Sequence, residues 1–324
     1  MRQSNIELCR ITSILLVLIV HSAFAANGFP KELNSQSLWL IFLESISIIG
    51  VNVFIFISGY FSIKLKPKTI YSLIFICAFY FVLLTSISLA MGHPFKVKNI
   101  LFVSECHYFI VDYIGLVLLS PILNAFVEHT EKRRLLNILM LLIVYQTYFG
   151  WFPGANATEF DYGYSLMSFS ILYLIARYVK SYGVPDIIQN NVGFLYLLAT
   201  VAIMALSCLC LMFDKAGALG LIYAYNNPIV IFSSICFFLY FEKKKIKENK
   251  FINHVAKSTL AVLLIHASKP AVPLYEKVKV YYTELAYDIC VGNILIWLCV
   301  IVAIFVLAII VDQLRLKLSE FIIK

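Results

Sequence analysis

Apolar residues in this chain come in ten long blocks separated by short polar breaks, at about 11–27, 38–62, 69–91, 108–127, 135–150, 165–179, 192–213, 227–241, 257–275 and 288–311. An α-helix rises 1.5 Å per residue, so about 20 apolar residues cross a hydrocarbon core roughly 30 Å thick. Most of the blocks have that length; the fifth, sixth and eighth are shorter. All are too long for membrane β-strands, and none shows the strict alternation that such strands require. The pattern therefore predicts an all-α, polytopic membrane protein of about ten transmembrane helices. No repeat, low-complexity tract or hydrophilic domain interrupts it, so residues 1–324 read as a single transmembrane domain.

Composition sharpens the class. Of 324 residues, 61% are hydrophobic and 14% charged, against about 45–50% and 25% in soluble domains. The lipid bilayer is the partner this composition demands. Soluble enzymes, nucleic-acid binders and disulfide scaffolds are disfavoured, which leaves channels, transporters and membrane-embedded enzymes. The net charge of +8 reads as an orientation signal. With the N-terminus cytoplasmic, only Lys31, Lys96, Lys98, Lys215, Lys269, Lys277 and Lys279 of the 26 Lys and Arg fall outside, and the rest lie inside. Basic residues accumulate in cytoplasmic loops, so both termini are expected to be cytoplasmic. Cys77, Cys208, Cys210, Cys236, Cys290 and Cys299 lie within apolar blocks as small hydrophobes, and Cys9 and Cys106 fall near opposite faces. Neither a disulfide nor a metal site is expected from that spacing. Arg2 and Arg10, the apolar run and Ala23-Phe24-Ala25 also fit a cleavable leader, although the first helix is expected to be retained. Asn156-Ala157-Thr158 fits a glycosylation acceptor that would matter only in a eukaryotic host; the chain reads as bacterial.

Ionisable groups inside apolar blocks are costly and mark functional candidates. Arg10 starts the first block and His21 lies eleven residues on, about 16 Å further and three turns round, on nearly the same face. Glu44 in the second block falls at about the depth of His21, where a carboxyl could orient the imidazole and stabilise its protonated form. Asp112 lies near the outer end of the fourth block beside His107 and Tyr108, and His266 lies near mid-depth in the ninth. Asn52 is a polar group in an apolar run, and Gly50, Ser58 and Gly59 are small enough for close helix approach. The breaks at 92–107, 150–164 and 276–287 are rich in polar and aromatic residues, a surface that suits a sugar.

Taken in order, these residues resemble the membrane-bound acyltransferase family 3. The resemblance rests on Arg10 and His21 with ten residues between them, then Gly50-Val-Asn-Val-Phe-Ile-Phe-Ile-Ser-Gly-Tyr-Phe61. It continues through His107-Tyr108-Phe109, Ile114-Gly115-Leu116, Leu119-Ser120-Pro121-Ile122-Leu123, Leu263-Leu264-Ile265-His266, and Asp312 with Arg315. It implies ten helices and transfer of an acyl group, most often acetyl, from cytoplasmic acyl-CoA to a hydroxyl of a cell-surface or lipid-linked polysaccharide at the bacterial inner membrane. Carried over, His21 is the catalytic histidine and Arg10 its essential partner; the depth of Glu44 adds it as the orienter of a His21 general base. A guanidinium suits the phosphates of acetyl-CoA or another acyl-CoA, and the span from Arg10 to His21 is comparable with the donor's pantetheine arm. Asn52, Ser58, His107, Tyr108, Asp112 and His266 would line or support the substrate site. A covalent acyl-histidine stays open beside direct transfer, and a homodimer is among the assemblies allowed. Asn52 stands where the family often has Asp or Pro, Leu263 where it usually has Tyr, and the Trp common near Tyr108 is missing, so the acceptor sugar stays open. The polar residues alone fit a transporter or flippase of a lipid-linked glycan equally well.

Overall fold

The computed structural model describes residues 3–95, 107–151 and 160–322. Cys106 and the Asn156-Ala157-Thr158 acceptor lie outside the described residues. The fold is all-helical, with 83% of residues in helix and no strand among the described residues. In chain order, the principal helices are α1 (Ser4–Ser22), α2 (Phe24–Asn27), α3 (Ser35–Ser47), α4 (Gly50–Tyr60), α5 (Pro67–Ala90), α6 (Tyr108–Glu128) and α7 (Lys132–Trp151). They are followed by α8 (Leu166–Tyr182), α9 (Val192–Met212), α10 (Pro228–Glu242), α11 (Thr259–Ala267), α12 (Val272–Tyr287) and α13 (Val291–Ile322).

Among the described residues, six stretches are long and apolar enough to cross a membrane: Ser4–Asn27, Ser35–Tyr60, Pro67–Ala90, Tyr108–Glu128, Val192–Met212 and Val291–Ile322. They correspond to the first four, seventh and tenth blocks. The fifth, sixth and eighth blocks are also helical, as α7, α8 and α10, of 20, 17 and 15 residues. The ninth block departs from expectation, because residues 257–275 do not form one helix. α11 ends at Ser268, whose ψ is 151°. Pro270 has no N–H with which to continue the i→i−4 ladder, and it opens a short 3-10 turn before α12 instead.

Helix starts carry ordinary caps. Asn34 and Ser37 form a reciprocal capping box at α3, the side chain of each accepting the other's backbone N–H at 2.8 and 2.7 Å. Asn227 caps α10 with Pro228 at its first position, where a missing N–H costs nothing. Lipid-facing positions such as Leu118, Ile122, Leu197, Val201, Leu307 and Ile310 remain exposed on the protein surface, as an apolar solvent allows.

α1 is the hub, packing against α3, α4, α10, α11 and α13. Its N-terminus is tied down by Asn5, which donates to the Phe241 and Glu242 carbonyls, and by Ser4, which donates to Asn253 Oδ1. α4 lies between α1 and α8, and glycines set both distances. A Cβ at Gly50 would stand 2.8 Å from the Ser13 carbonyl oxygen, and one at Gly59 would stand 2.6 Å from that of Tyr173. Both contacts are with backbone, so no side chain can swing away. Gly59→Val is expected to cost about 1–3 kcal/mol through overpacking, read as a lower thermal midpoint in detergent. A midpoint equal to that of the wild type would mean that α4 and α8 are not held this closely.

Candidate functional site

α1 presents Arg10, Ile14, Val17 and His21 along one stripe, and all four line a single cavity of about 400 Å³. The i, i+4, i+7, i+11 spacing repeats a helical face, so the cavity extends at least the roughly 16 Å between Arg10 and His21. Glu44 of α3, Val51, Phe54 and Ser58 of α4, Tyr108 and Tyr113 of α6, and Leu263 of α11 complete much of its wall, with His107, Tyr164 and Tyr225 from the breaks between helices. The space is apolar along its length and polar at the Arg10 and His21 ends.

At one end, Arg10 Nε lies 3.7 Å from Glu7 Oε2, with the Arg10 side chain 31% exposed. The pair shares a helix face at i, i+3. Glu7 thus steadies the guanidinium at the cavity wall, a role its position at the start of the helix did not announce.

At the other end, His21 is half-buried, and its ring centroid lies 4.8 Å from that of His266, tilted by 60°. His266 is buried behind it and is not a lining residue. Glu44 is buried too, but its Oε2 accepts the backbone N–H of Phe24 at 3.2 Å. The sequence placed Glu44 as the orienter of the imidazole. In the structure Oε2 takes the backbone N–H three residues beyond His21, where the chain turns from α1 into α2. A free amide at a helix start needs an acceptor, and depth along a helix does not reveal which group will supply it.

The remaining candidates divide. Ser58 Oγ donates to the Phe54 carbonyl and meets Tyr113 Oη at 3.2 Å on the cavity wall. His107 caps α6, its Nδ1 accepting the Phe109 N–H at 3.3 Å. Burial pushes the His107 imidazole down to about 4, which keeps it neutral near pH 7. Its ring is 4.5 Å from that of Tyr108, which packs on Tyr164, which packs on Tyr225. Asn52 is not at the cavity; its Nδ2 donates to the Tyr225 carbonyl at 2.9 Å and so holds that aromatic in place. Asp112 is half-buried and does not line the cavity.

Tyr113, Tyr164 and Tyr225 were not among the expected site residues. The signal for the last was a polar break, Tyr223-Ala-Tyr-Asn-Asn-Pro228, between two apolar runs. Together with His107 and Tyr108 they give the cavity an aromatic wall with polar edges.

The chain matches the acyltransferase domain family over residues 3–312. No curated protein and no solved structure matches it.

Proposed function

Because this multi-pass membrane chain belongs to acyltransferase family 3, we propose that it moves an acetyl group from acetyl-CoA to a hydroxyl of a surface or lipid-linked polysaccharide at the bacterial inner membrane. The observation that carries this reading is the single cavity that has Arg10 at one end and His21 at the other. Its volume lies at the low end of ligand pockets, about 300–1,000 Å³. Such a space suits a thin pantetheine arm, with the nucleotide head left at the cytoplasmic mouth beside Arg10. The aromatic wall at the His21 end is then the acceptor side.

His21 acts as general base. It takes the proton of the acceptor hydroxyl while that oxygen bonds to the acyl carbon, and passes the proton to the thiolate as the carbon–sulfur bond breaks. The apolar walls between the two ends, Ile14, Val17, Val51 and Leu263 among them, exclude the water that would otherwise hydrolyse the thioester. Arg10 provides the guanidinium fork for the donor's phosphates.

Mass spectrometry of surface polysaccharide from cells with and without the gene tests this directly. Loss of a constant acetyl mass is expected on deletion. An unchanged glycan, with lipid-linked precursor accumulating on the cytoplasmic side, would instead indicate a flippase, which consumes no acyl donor. A narrower test addresses Arg10. Arg10→Lys keeps the charge but not the fork, so KM for acetyl-CoA is expected to rise about tenfold with kcat within about threefold, measured as initial rates against donor concentration. An unchanged KM would remove Arg10 from the donor site.

A further inference from the structure

His266 lies in the last turn of α11 and is only 3% exposed. Its Nδ1 is hydrogen-bonded to the Val262 carbonyl oxygen, one turn back on the same helix. A carbonyl oxygen only accepts, so Nδ1 carries the proton, and the neutral ring has its lone pair on Nε2. That nitrogen is buried without a hydrogen-bond partner among the described residues. Buried acceptors are nearly always satisfied, so an orphaned one next to a reactive group calls for a role.

The neighbour that fits is His21. The ring centroids lie only 4.8 Å apart, tilted by 60°, so a rotation of the His21 ring about its side-chain bonds brings an edge N–H toward Nε2. The Tyr275 ring packs on His266 at 5.7 Å, and α11 cannot lengthen past Ser268, so the imidazole is held in its place. Glu44, another group at this end able to accept, has its Oε2 committed to Phe24.

We propose that His266 is the positioning residue of His21. Its Nε2 accepts the N–H of one His21 nitrogen, which leaves the lone pair on the other nitrogen, facing the acceptor hydroxyl. When His21 takes the hydroxyl proton, the same contact holds the resulting imidazolium, and no proton passes to His266. A neutral acceptor serves here without placing a further buried charge beside the reaction. The Val262 carbonyl does for His266 what His266 does for His21, since each acceptor sets the tautomer of the next ring. The inference rests on His21 being the base.

The test uses the purified full chain, acetyl-CoA as donor and, as acceptor, polysaccharide extracted from cells lacking the gene. Only monodisperse protein is assayed. His266→Leu keeps bulk and removes the acceptor; His266→Gln places an amide oxygen near the position of Nε2. The Leu variant is expected to lose about 10²-fold or more in kcat with donor KM unchanged within about twofold, and the Gln variant to retain at least about ten times the Leu rate. A Leu variant within about threefold of the wild type, or a Gln variant no faster than Leu, overturns the proposal, because a purely structural role would not favour Gln. Should the Leu protein not be recovered, Gln decides alone: a rate within about thirtyfold of the wild type supports the proposal and a greater loss overturns it. His21→Ala in the same assay separates the two readings. An active His21→Ala enzyme removes the base and this inference with it, whereas an inactive one beside a fully active His266→Leu removes only the inference.

Discussion

His21→Ala is expected to lower acyl transfer by about 10³-fold or more, at the upper range for removing a positioned general base. The titratable groups nearest it are each engaged elsewhere: His266 is buried behind His21, the Nδ1 of His107 caps α6, and Oε2 of Glu44 accepts the Phe24 amide. The protein itself should survive the change. His21 is half-buried on the cavity wall, and α1 is held at many other points, by Asn5 to the end of α10 and by Ser22, which accepts the Trp297 indole N–H from α13 at 2.9 Å. Yield and elution volume in detergent should therefore match the wild type while product falls to background. Transfer at the wild-type rate would end the assignment of His21 as base and leave Arg10 without a reaction to serve.

The largest stability effect is expected at Asp312. Its side chain is fully buried in α13 and takes a two-pronged contact from Arg315, with Nε at 2.8 Å from Oδ1 and Nη2 at 2.6 Å from Oδ2. Tyr80 of α5 donates its hydroxyl to Oδ1 at 2.8 Å. The cluster joins α5 to α13 and is satisfied only when all three members are present. Asp312→Ala leaves a largely buried guanidinium and a buried hydroxyl without an acceptor, and is expected to cost about 3–5 kcal/mol. Replacing the whole cluster, as Asp312→Leu with Arg315→Leu and Tyr80→Phe, should recover most of that loss, because an apolar triad of similar volume needs no partner. Thermal unfolding in detergent followed by tryptophan fluorescence reads both. If the single and triple variants melt alike, the cluster is not the tie between these helices.

How far the sequence reaches can be judged residue by residue. Arg10 and His21 were readable as a pair because they share one helix, whose rise and turn are fixed by backbone geometry. Gly50 and Gly59 were readable as contact points, since only a missing Cβ permits such approach. The ninth block was misread because hydropathy counts apolar side chains and takes no account of the N–H that Pro270 lacks. Glu44 lines the same cavity as His21, but position along a helix says nothing of which acceptor faces which donor, and the bond of its Oε2 to Phe24 was not legible.

The break that holds Tyr164 was legible as a polar and aromatic stretch, but its meeting with Tyr225 was not, for a related reason. They come from polar breaks far apart in the chain, and only the folded protein brings their rings to 4.9 Å at one cavity wall. What the sequence determined by itself was everything that follows from one dimension: the class of solvent, the apolar blocks, and the 16 Å register of Arg10 and His21 along a helix. What only the tertiary structure decided was azimuth, that is, which face of each helix meets which neighbour. Packing between helices sets that rotation through long-range contacts, and on it depend the ring that stands behind His21, the partner of Glu44, and the aromatic wall that closes the cavity.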